Sequence, residues 1–222
     1  MGGSISNFSF GGHVKLYRVL FVVAITISSI LFFSCASSSG TSSIKDKSFN
    51  PDGASIALFP PQYSFGNEGQ SLEAGSELMI GEMVYTILEQ RTSSIWMSPD
   101  ETVTFIQDAE LIDVYVKLIE GYQKSGIISK TRLKKLTDAV GTPYIAVCEV
   151  SHRVSGVTGM SGYRSTSITL QVLSSANGKV VLELLGNAQC GSGGYDVGAG
   201  ELMKMSIDKA VDHYPGAKPS SK

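Results

Sequence analysis

The fold is decided at residues 167–186, which read SITLQVLSSANGKVVLELLG. Apolar residues alternate with polar ones in the first part of this stretch, as in a strand with one solvated face. Asn177-Gly178 is a turn signal, and a second apolar run follows it. The stretch therefore predicts a β-hairpin.

The register of this hairpin depends on the length of its loop. A three-residue loop places Leu170 opposite Leu184 and Val172 opposite Leu182. A two-residue loop would instead set Val172 against Glu183. We predict the longer loop, because it keeps the apolar residues paired and puts the glycine of the turn at a left-handed position.

The sequence on both sides of the hairpin predicts a single globular domain over residues 54–214. Apolar runs that end at proline, glycine or serine predict strands, and apolar stripes at helical spacing predict helices. The strands are predicted at 54–59, 94–97 and 144–150, the helices at 71–91, 108–124, 129–140 and 200–214, and loops at 63–70 and 156–162. The fold class is α/β (α+β), a mixed, three-layer-like sheet of about four to five strands with helices packed on it.

Individual residues of the predicted helices have specific roles. Asp108 is expected to cap the second helix, and Gly141 is expected to follow the third in a left-handed conformation. Met79 and Met83 fall on the apolar stripe of the first helix, so we interpret them as core residues rather than as ligands.

The composition excludes several classes of protein. Of the 222 residues, 42% are hydrophobic and 17% are charged, which suits a folded core and not a disordered chain. The net charge is −2 and basic residues do not cluster on one face, so no nucleic-acid partner is expected.

The N-terminal residues 1–34 have the pattern of a secretory signal peptide. They contain no Asp or Glu, and Lys15 and Arg18 precede an uncharged run from Val19 to Phe33. The run is shorter than the ~20 residues of a bilayer-spanning helix. Small residues follow it instead of positive charges, which is a second argument against a transmembrane anchor.

Residues 31–35, LFFSC, resemble a bacterial lipobox. The resemblance implies cleavage between Ser34 and Cys35 and acyl chains on Cys35, which would hold the exported protein to a membrane. Phe32 departs from the pattern, which has an aliphatic residue there. Ala36 resembles the signal for an outer membrane, where the host has one. The alternative is an ordinary signal peptide that is cut nearby and leaves Cys35 free.

The ends of the mature chain and its cysteines give further expectations. Residues 35–53 are Ser-rich and are predicted to form a flexible tether, and residues 215–222 a disordered tail. Cys148 and Cys190 are the cysteines that remain once Cys35 carries lipid, in a compartment where a disulfide can form. A strand between them would hold them too far apart, so we favour two free thiols; neighbouring strands would allow a bridge.

Three segments carry a resemblance to a known family. They are an apolar strand followed by Pro60-Pro61 and a long helix, the segment Gly141-Thr142-Pro143-Tyr144 before a Val-rich strand, and Asn177-Gly178-Lys179-Val180-Val181. Together they resemble the envelope lipoproteins with a fold like the amino-terminal domain of TolB, a group that includes CsgG and LpoB. The resemblance implies a scaffold or partner-binding role. CsgG also forms a pore through two amphipathic hairpins, and this chain lacks two such segments.

No constellation of residues predicts catalysis or cofactor binding. His152 and His213 are distant in sequence and have no Cys or acidic residue at metal-ligand spacing. The Gly-rich stretch 191–200 lacks the Lys and the Ser/Thr of a phosphate loop. We interpret the acidic pair Asp100-Glu101 as solvated rather than as glycosidase carboxylates. No catalytic residue, metal site or cofactor is therefore predicted.

The sequence thus favours a non-catalytic, lipid-anchored protein of the cell envelope that binds a protein partner or acts as a scaffold. Two alternatives stay open. One is an envelope enzyme that acts on cell-wall glycan, which a deep cleft with convergent polar groups would favour. The other is a surface-exposed adhesin-type lipoprotein, which protease treatment of whole cells would reveal.

Overall fold

The structure is a computed structural model that describes residues 36–65, 76–155, 163–191 and 197–219. The predicted signal peptide, Cys35 and the predicted loop 156–162 lie outside these residues. Within the described ranges, no helix combines the length and the apolar character needed to cross a bilayer.

The described residues form seven strands and five helices. The strands are β1 (Ser37–Ile44), β2 (Ser55–Leu58), β3 (Gln62–Phe65), β4 (Ile95–Met97), β5 (Tyr144–Ser155), β6 (Tyr163–Ser174) and β7 (Val180–Cys190). The helices are α1 (Ser76–Arg91), α2 (Pro99–Asp108), α3 (Ile112–Ser125), α4 (Lys130–Val140) and α5 (Ala199–Asp212). The predicted α/β fold class is confirmed, although the sheet has more strands than the sequence predicted.

A single mixed sheet contains all seven strands in the order β1-β7-β6-β5-β2-β4, with β3 also paired to β5. The strands from β1 to β5 in this order are antiparallel neighbours, whereas β2 and β3 run parallel to β5 and β4 runs parallel to β2. The start of β1 therefore lies at the same end of the sheet as the ends of β3, β5 and β7. We call this the Ser37 end; the turn between β6 and β7 lies at the opposite end.

Helices pack on both faces of the sheet, which gives three layers. Helices α1 and α5 cover one face, with the core residues Ile80, Val84, Leu88, Met203, Ile207 and Val211 against Ile56, Leu58, Ala146, Leu170 and Leu184. Helices α2, α3 and α4 cover part of the other face, with Ile106, Leu118, Leu133 and Leu136 against Ala57, Phe59, Ile145 and Val147. The side chains of β2 and β5 alternate between the two cores, which explains why these strands read as continuous apolar runs.

Strand β3 corrects the loop predicted from Tyr63 onward. Strand β2 pairs with the first part of β5 and β3 with a later part of the same edge. Pro60 and Pro61 separate the two, because a proline cannot donate to the ladder. The register shifts by one residue across them, since Leu58 pairs with Ala146 but Gln62 with Glu149.

The start of α2 corrects the predicted role of Asp108. Ser98 caps this helix: its Oγ accepts from the amide of Glu101 at 3.2 Å, and Glu101 Oε2 accepts from the amide of Ser98 at 3.1 Å. Asp108 is the last residue of α2 and not a cap, and α3 begins separately at Ile112. The reciprocal capping box starts α2 ten residues before Asp108, and α2 is a helix that the sequence analysis did not predict. The prediction for Gly141 is confirmed, because it follows α4 at φ 76°.

The hairpin has the predicted pairs but a different loop. Leu170 lies opposite Leu184 and Val172 opposite Leu182, as predicted. Gly178 has φ 72°, which confirms its left-handed position. The three-residue loop is wrong, because Ser174 already bonds to Lys179 and four residues form the turn. A register shift between Val172 and Leu173 accommodates the additional loop residue while the predicted pairs are kept.

Strand β1 corrects the predicted flexible tether. The Ser-rich residues Ser37–Ile44 pair with β7 along their whole length, from Ser37 opposite Gln189 to Ile44 opposite Leu182. Gly40 lies opposite Gly186, and α5 crosses directly over both. A Cβ on Gly186 would overlap the carbonyl oxygen of Ser206 and lie 2.9 Å from the amide nitrogen of Ala210. The two glycines thus let a helix approach the sheet more closely than any side chain would permit.

The C-terminal segment corrects the predicted disordered tail as far as it is described. The amide of Lys218 donates to the carbonyl of Arg91 at 2.8 Å, and the guanidinium of Arg91 donates to the carbonyl of Lys218 at 3.2 Å. The same guanidinium, 7% exposed, also pairs with Asp208 and Asp212 of α5. A buried guanidinium needs such partners, so it joins α1, α5 and the tail.

Candidate functional site

An apolar groove of about 1060 Å³ lies between α1 and α2, beside the prolines that follow β2. Its lining is mostly apolar and comes from Pro60, Pro61, Met79, Met83 and Val103. The groove is open to solvent. Most large apolar side chains of a folded protein lie in its core, so an apolar concavity at the surface is a candidate binding site.

Local sequence features open the groove. Gly81 of α1 faces two prolines: a Cβ at this position would lie 3.4 Å from Pro61 and 3.6 Å from Pro99, which is ordinary van der Waals contact. On the other wall, the capping box at Ser98 fixes where α2 begins. The proline pair, Gly81 of α1 and the start of α2 therefore meet at the groove.

Met79 corrects the interpretation of the α1 stripe. Its side chain is 71% exposed, whereas its neighbour Ile80 is 4% exposed and belongs to the core. Met83 is partly buried at the edge of that core and also lines the groove. Methionine is unbranched and polarisable, and it adapts to differently shaped apolar partners.

Acidic side chains surround the groove. Glu82 and Asp100 are among its lining residues, and Lys204 is the one lysine among those that the structure describes. Nearby, the hydroxyl of Tyr85 donates to Glu89 at 3.0 Å. Partial burial, this hydrogen bond and the surrounding carboxylates raise the pKa of Tyr85. The described groove residues and their neighbours thus carry more negative than positive charge, which favours a cationic partner.

The acidic pair Asp100-Glu101 is not arranged for glycoside hydrolysis. Glu101 is part of the capping box of α2 and accepts from the amide of Ser98. Asp100 lies on the groove wall. The pair is adjacent in the first turn of a helix, where carboxylates are stabilised by the helix dipole. This placement accounts for both residues without catalysis.

A second, smaller cleft of about 400 Å³ lies on the other face, between α3 and the strands β3, β5 and β6. Two of its lining residues, Tyr122 and Gln171, are hydrogen-bonded to each other through the tyrosine hydroxyl. Nε2 of Gln171 also donates to Glu183 at 2.7 Å, a residue outside the lining. Lys45 lies 3.2 Å from Glu183. The hydrogen bond from Gln171, with the nearby lysine, lowers the pKa of Glu183. A general acid of a glycosidase needs a raised pKa, so Glu183 does not suit that role. The carboxylate in the lining itself is Glu149.

The two histidines of the domain lie on different elements, His152 on a strand and His213 after a helix. His152 is buried on β5, with its Nδ1 2.8 Å from the hydroxyl of Thr166, and burial together with Arg164 lowers its pKa. His213 follows α5 and lies close to Gly40. Among the described residues, no group of three His, Cys, Asp or Glu side chains is placed to hold a metal ion.

The two cysteines of the domain are buried and separate. Cys148 lies on β5 opposite Leu170 of β6, and Cys190 lies on β7 opposite Arg164 of the same strand. Strand β6 lies between the two cysteines, and their partners on it, Leu170 and Arg164, are six residues apart. The Cα atoms of the cysteines are therefore roughly 20 Å apart, far beyond the reach of a disulfide. Burial raises the pKa of Cys148 well above its usual range.

We expect two free thiols when protein purified from membranes without reductant is unfolded and titrated with a thiol reagent. Neither thiol should react quickly in the folded protein, because both are buried and Cys148 stays protonated at neutral pH. A third reactive thiol would show that Cys35 carries no lipid. A count of zero would mean that Cys148 and Cys190 are oxidised, which would contradict the strand order.

Sequence reasoning missed most of the groove. The predicted helices do not include Pro99 and Val103, although the series Ser98-Pro99-Asp100-Glu101 is a capping signal. The exposure of Met79 had no signal in the sequence, because periodicity gives the direction of a stripe and not how far neighbouring elements cover it.

Comparisons with known proteins establish no family for the chain. No family model matches, and no curated protein matches.

Several solved structures are similar at low identity. A PelC dodecamer from Paraburkholderia phytofirmans is 11% identical with a TM-score of 0.42, and the match covers 78% of this chain and 96% of that one. Lipoprotein GNA1162 from Neisseria meningitidis is 15% identical with a TM-score of 0.41, over 72% and 96% of the two chains. The LpoB C-terminal domain from Escherichia coli is 12% identical with a TM-score of 0.41, over 65% and 88%. At these values the similarity carries no functional conclusion, and the resemblance to the LpoB-containing group stays a prediction.

Proposed function

We propose that the chain is a non-catalytic, lipid-anchored protein of the cell envelope that binds a protein partner through the groove between α1 and α2. The observation that carries the proposal is the 71% exposure of Met79 in a mostly apolar concavity. The export pattern of residues 1–34 and the lipobox-like residues 31–35 support the location.

The shape of the groove suits a peptide segment better than a small molecule. Pockets for small ligands have volumes of about 300–1,000 Å³ and bury most of the ligand. This groove is at the upper limit of that range, at about 1060 Å³, and it is open along one side. Grooves of this kind accept the apolar face of a helix or an extended segment.

The charges of the rim indicate the chemistry of that segment. Glu82 and Asp100 lie in the lining, where Lys204 is the one cation among the described residues. A segment with apolar anchors and flanking Lys or Arg residues would satisfy both the groove and its rim. The apolar anchors would supply most of the affinity, and the charges would mainly increase the association rate.

We expect Met79→Glu to abolish partner binding at the groove without unfolding the domain. When the partner binds, the new carboxylate would lose its hydration inside an apolar groove with an acidic rim. The contacts of the partner cannot compensate the free energy of that desolvation. The measurement uses a photoreactive phenylalanine analogue at Thr104 on the groove wall, activated in intact cells. We expect at least a tenfold loss of the crosslinked complex in the variant.

The matched control is Ile127→Glu, which adds the same charge at a residue that is 73% exposed and outside the groove. It should leave the crosslinked complex unchanged. Equal crosslinking in all three proteins, or equal loss in both variants, would rule out the groove as the binding site.

A further inference from the structure

We propose that the domain is held directly against the membrane by the Ser37 end of its sheet, with no flexible tether between the lipid and the fold. The proposal rests on the acylation of Cys35 proposed above. The partner at this surface is the lipid headgroup layer around the anchor.

The first argument is the length of chain between the anchor and the fold. Strand β1 begins at Ser37, which pairs with Gln189 of β7. Only Ala36 separates Ser37 from Cys35. Two residues of fully extended chain span at most ~7 Å, so an acylated Cys35 cannot lie farther than that from the edge of the sheet.

The second argument is that β1 cannot be released to lengthen this connection. Ala36 packs against Ala188, Cys190 and Leu202 at the start of α5. Farther along, Gly40 is enclosed by α5: a Cβ there would overlap the carbonyl oxygen of Lys209 and lie 2.8 Å from the ring of His213. To detach β1 would expose this packing and the ladder to β7, which is part of the core structure.

The third argument is the chemistry of the Ser37 end. Arg153 lies near the end of β5, and Tyr163 and Arg164 begin β6 beside it. Arg153 is exposed, and Tyr163 is 47% exposed. Tyrosine is enriched at membrane interfaces, and arginine is attracted to anionic headgroups by about 1 kcal/mol per residue. These side chains suit the environment where the short connection would place them.

The geometry makes a distance prediction along β6. Tyr163 begins this strand at the Ser37 end, and the turn with Ala176 follows its other end. Twelve residues of strand span roughly 36–40 Å, so the two positions differ strongly in their distance from the bilayer.

The test is energy transfer from a dye on the protein to labelled lipid headgroups. The full-length lipoprotein carries p-azidophenylalanine at Tyr163 or at Ala176 for dye attachment, with Gln189 and Lys179 as second near and far positions. It is reconstituted into vesicles of phosphatidylethanolamine and phosphatidylglycerol. We expect at least several-fold stronger transfer from the near positions than from the far ones. A flexible insertion of about 20 Gly and Ser residues between Cys35 and Ala36 should remove most of the difference.

The outcomes separate the two proposals. Equal transfer from near and far positions in the native chain, unchanged by the insertion, would overturn the fixed orientation and leave the lipid anchor intact. If the chain carries no lipid, the anchor proposal fails. A chain that starts at Cys35 is then coupled through this cysteine to a maleimide lipid, and the same comparison is made. A near-to-far difference in that sample still supports the orientation, and equal transfer rejects it.

Discussion

Gly186→Ala is expected to prevent the domain from folding, or to remove at least about 4 kcal/mol of its free energy of unfolding. The added methyl would overlap the carbonyl oxygen of Ser206 and press on the amide of Ala210. Both atoms belong to the backbone of α5, so no side chain can rotate away. Relief requires the helix to lift from the sheet and uncover the core around Met203 and Ile207.

The measurement is urea unfolding followed by circular dichroism. A domain of this kind is stable by about 5–15 kcal/mol, so the loss is a large part of the total. The control is Gly200→Ala, in the same helix, where a Cβ meets no atom within 4 Å. It should keep or slightly raise the stability, because alanine favours a helix over glycine by ~1 kcal/mol. A change below about 1 kcal/mol for Gly186→Ala would show that α5 does not pack as described.

Gly40→Ala extends the same test to β1. A Cβ at this position would lie 2.7 Å from the carbonyl carbon of Lys209 and 2.8 Å from the ring of His213. If residues 37–44 form the edge strand, this variant loses stability much as Gly186→Ala does. If they formed a flexible tether, the substitution would have no effect on unfolding. The single variant therefore distinguishes the structure from the sequence-based expectation.

The parts of the fold that the sequence predicted are those with strong periodicity or strong local signals. The hairpin pairs Leu170–Leu184 and Val172–Leu182 follow from alternation, because a slip of one residue would turn every apolar side chain to solvent. The left-handed Gly141 follows from its place after an apolar helical stripe. In these places the local sequence and the tertiary packing require the same conformation.

Strand β1 could not be predicted, because its residues have no intrinsic preference for a strand. A stretch rich in serine and glycine has the composition of a flexible linker, and the outward face of this edge strand is solvated. Its conformation comes from β7, which offers an unpaired edge, and from α5, which requires a small residue at Gly40. Strand β3 has a similar cause, since Pro60 and Pro61 indicate an end to the strand although the chain returns to the same edge of β5.

The groove could not be predicted from the sequence for a related reason. The stripe of α1 is broad, and its apolar residues include both Ile80, which is covered by the sheet, and Met79, which is not. Which part of a broad stripe becomes core depends on where α2 and the two prolines lie. Those positions are set by contacts between residues distant in sequence, and a single sequence does not contain that information in its periodicity.

Cys35→Ala is expected to abolish incorporation of a fatty-acid analogue and to leave an uncleaved precursor. The lipobox-like residues 31–35 place Cys35 as the residue that receives the lipid, and alanine offers no thiol for the thioether bond. The measurement is metabolic labelling with an alkyne fatty acid, followed by gel analysis of label and of chain length. Equal labelling of the variant and the unaltered protein would reject the lipid anchor.

Two further variants make this result specific. Cys190→Ala removes a buried cysteine at the end of β7 and should not reduce labelling, because its thiol is inaccessible in the folded domain. Phe32→Leu restores the aliphatic residue of the lipobox and should leave labelling unchanged or raise it. Membrane fractionation alone is a poor measurement, because a precursor that keeps the apolar run from Val19 to Phe33 can stay in the membrane without any acyl chain. Only the label and the length of the chain separate an acylated Cys35 from a retained signal peptide.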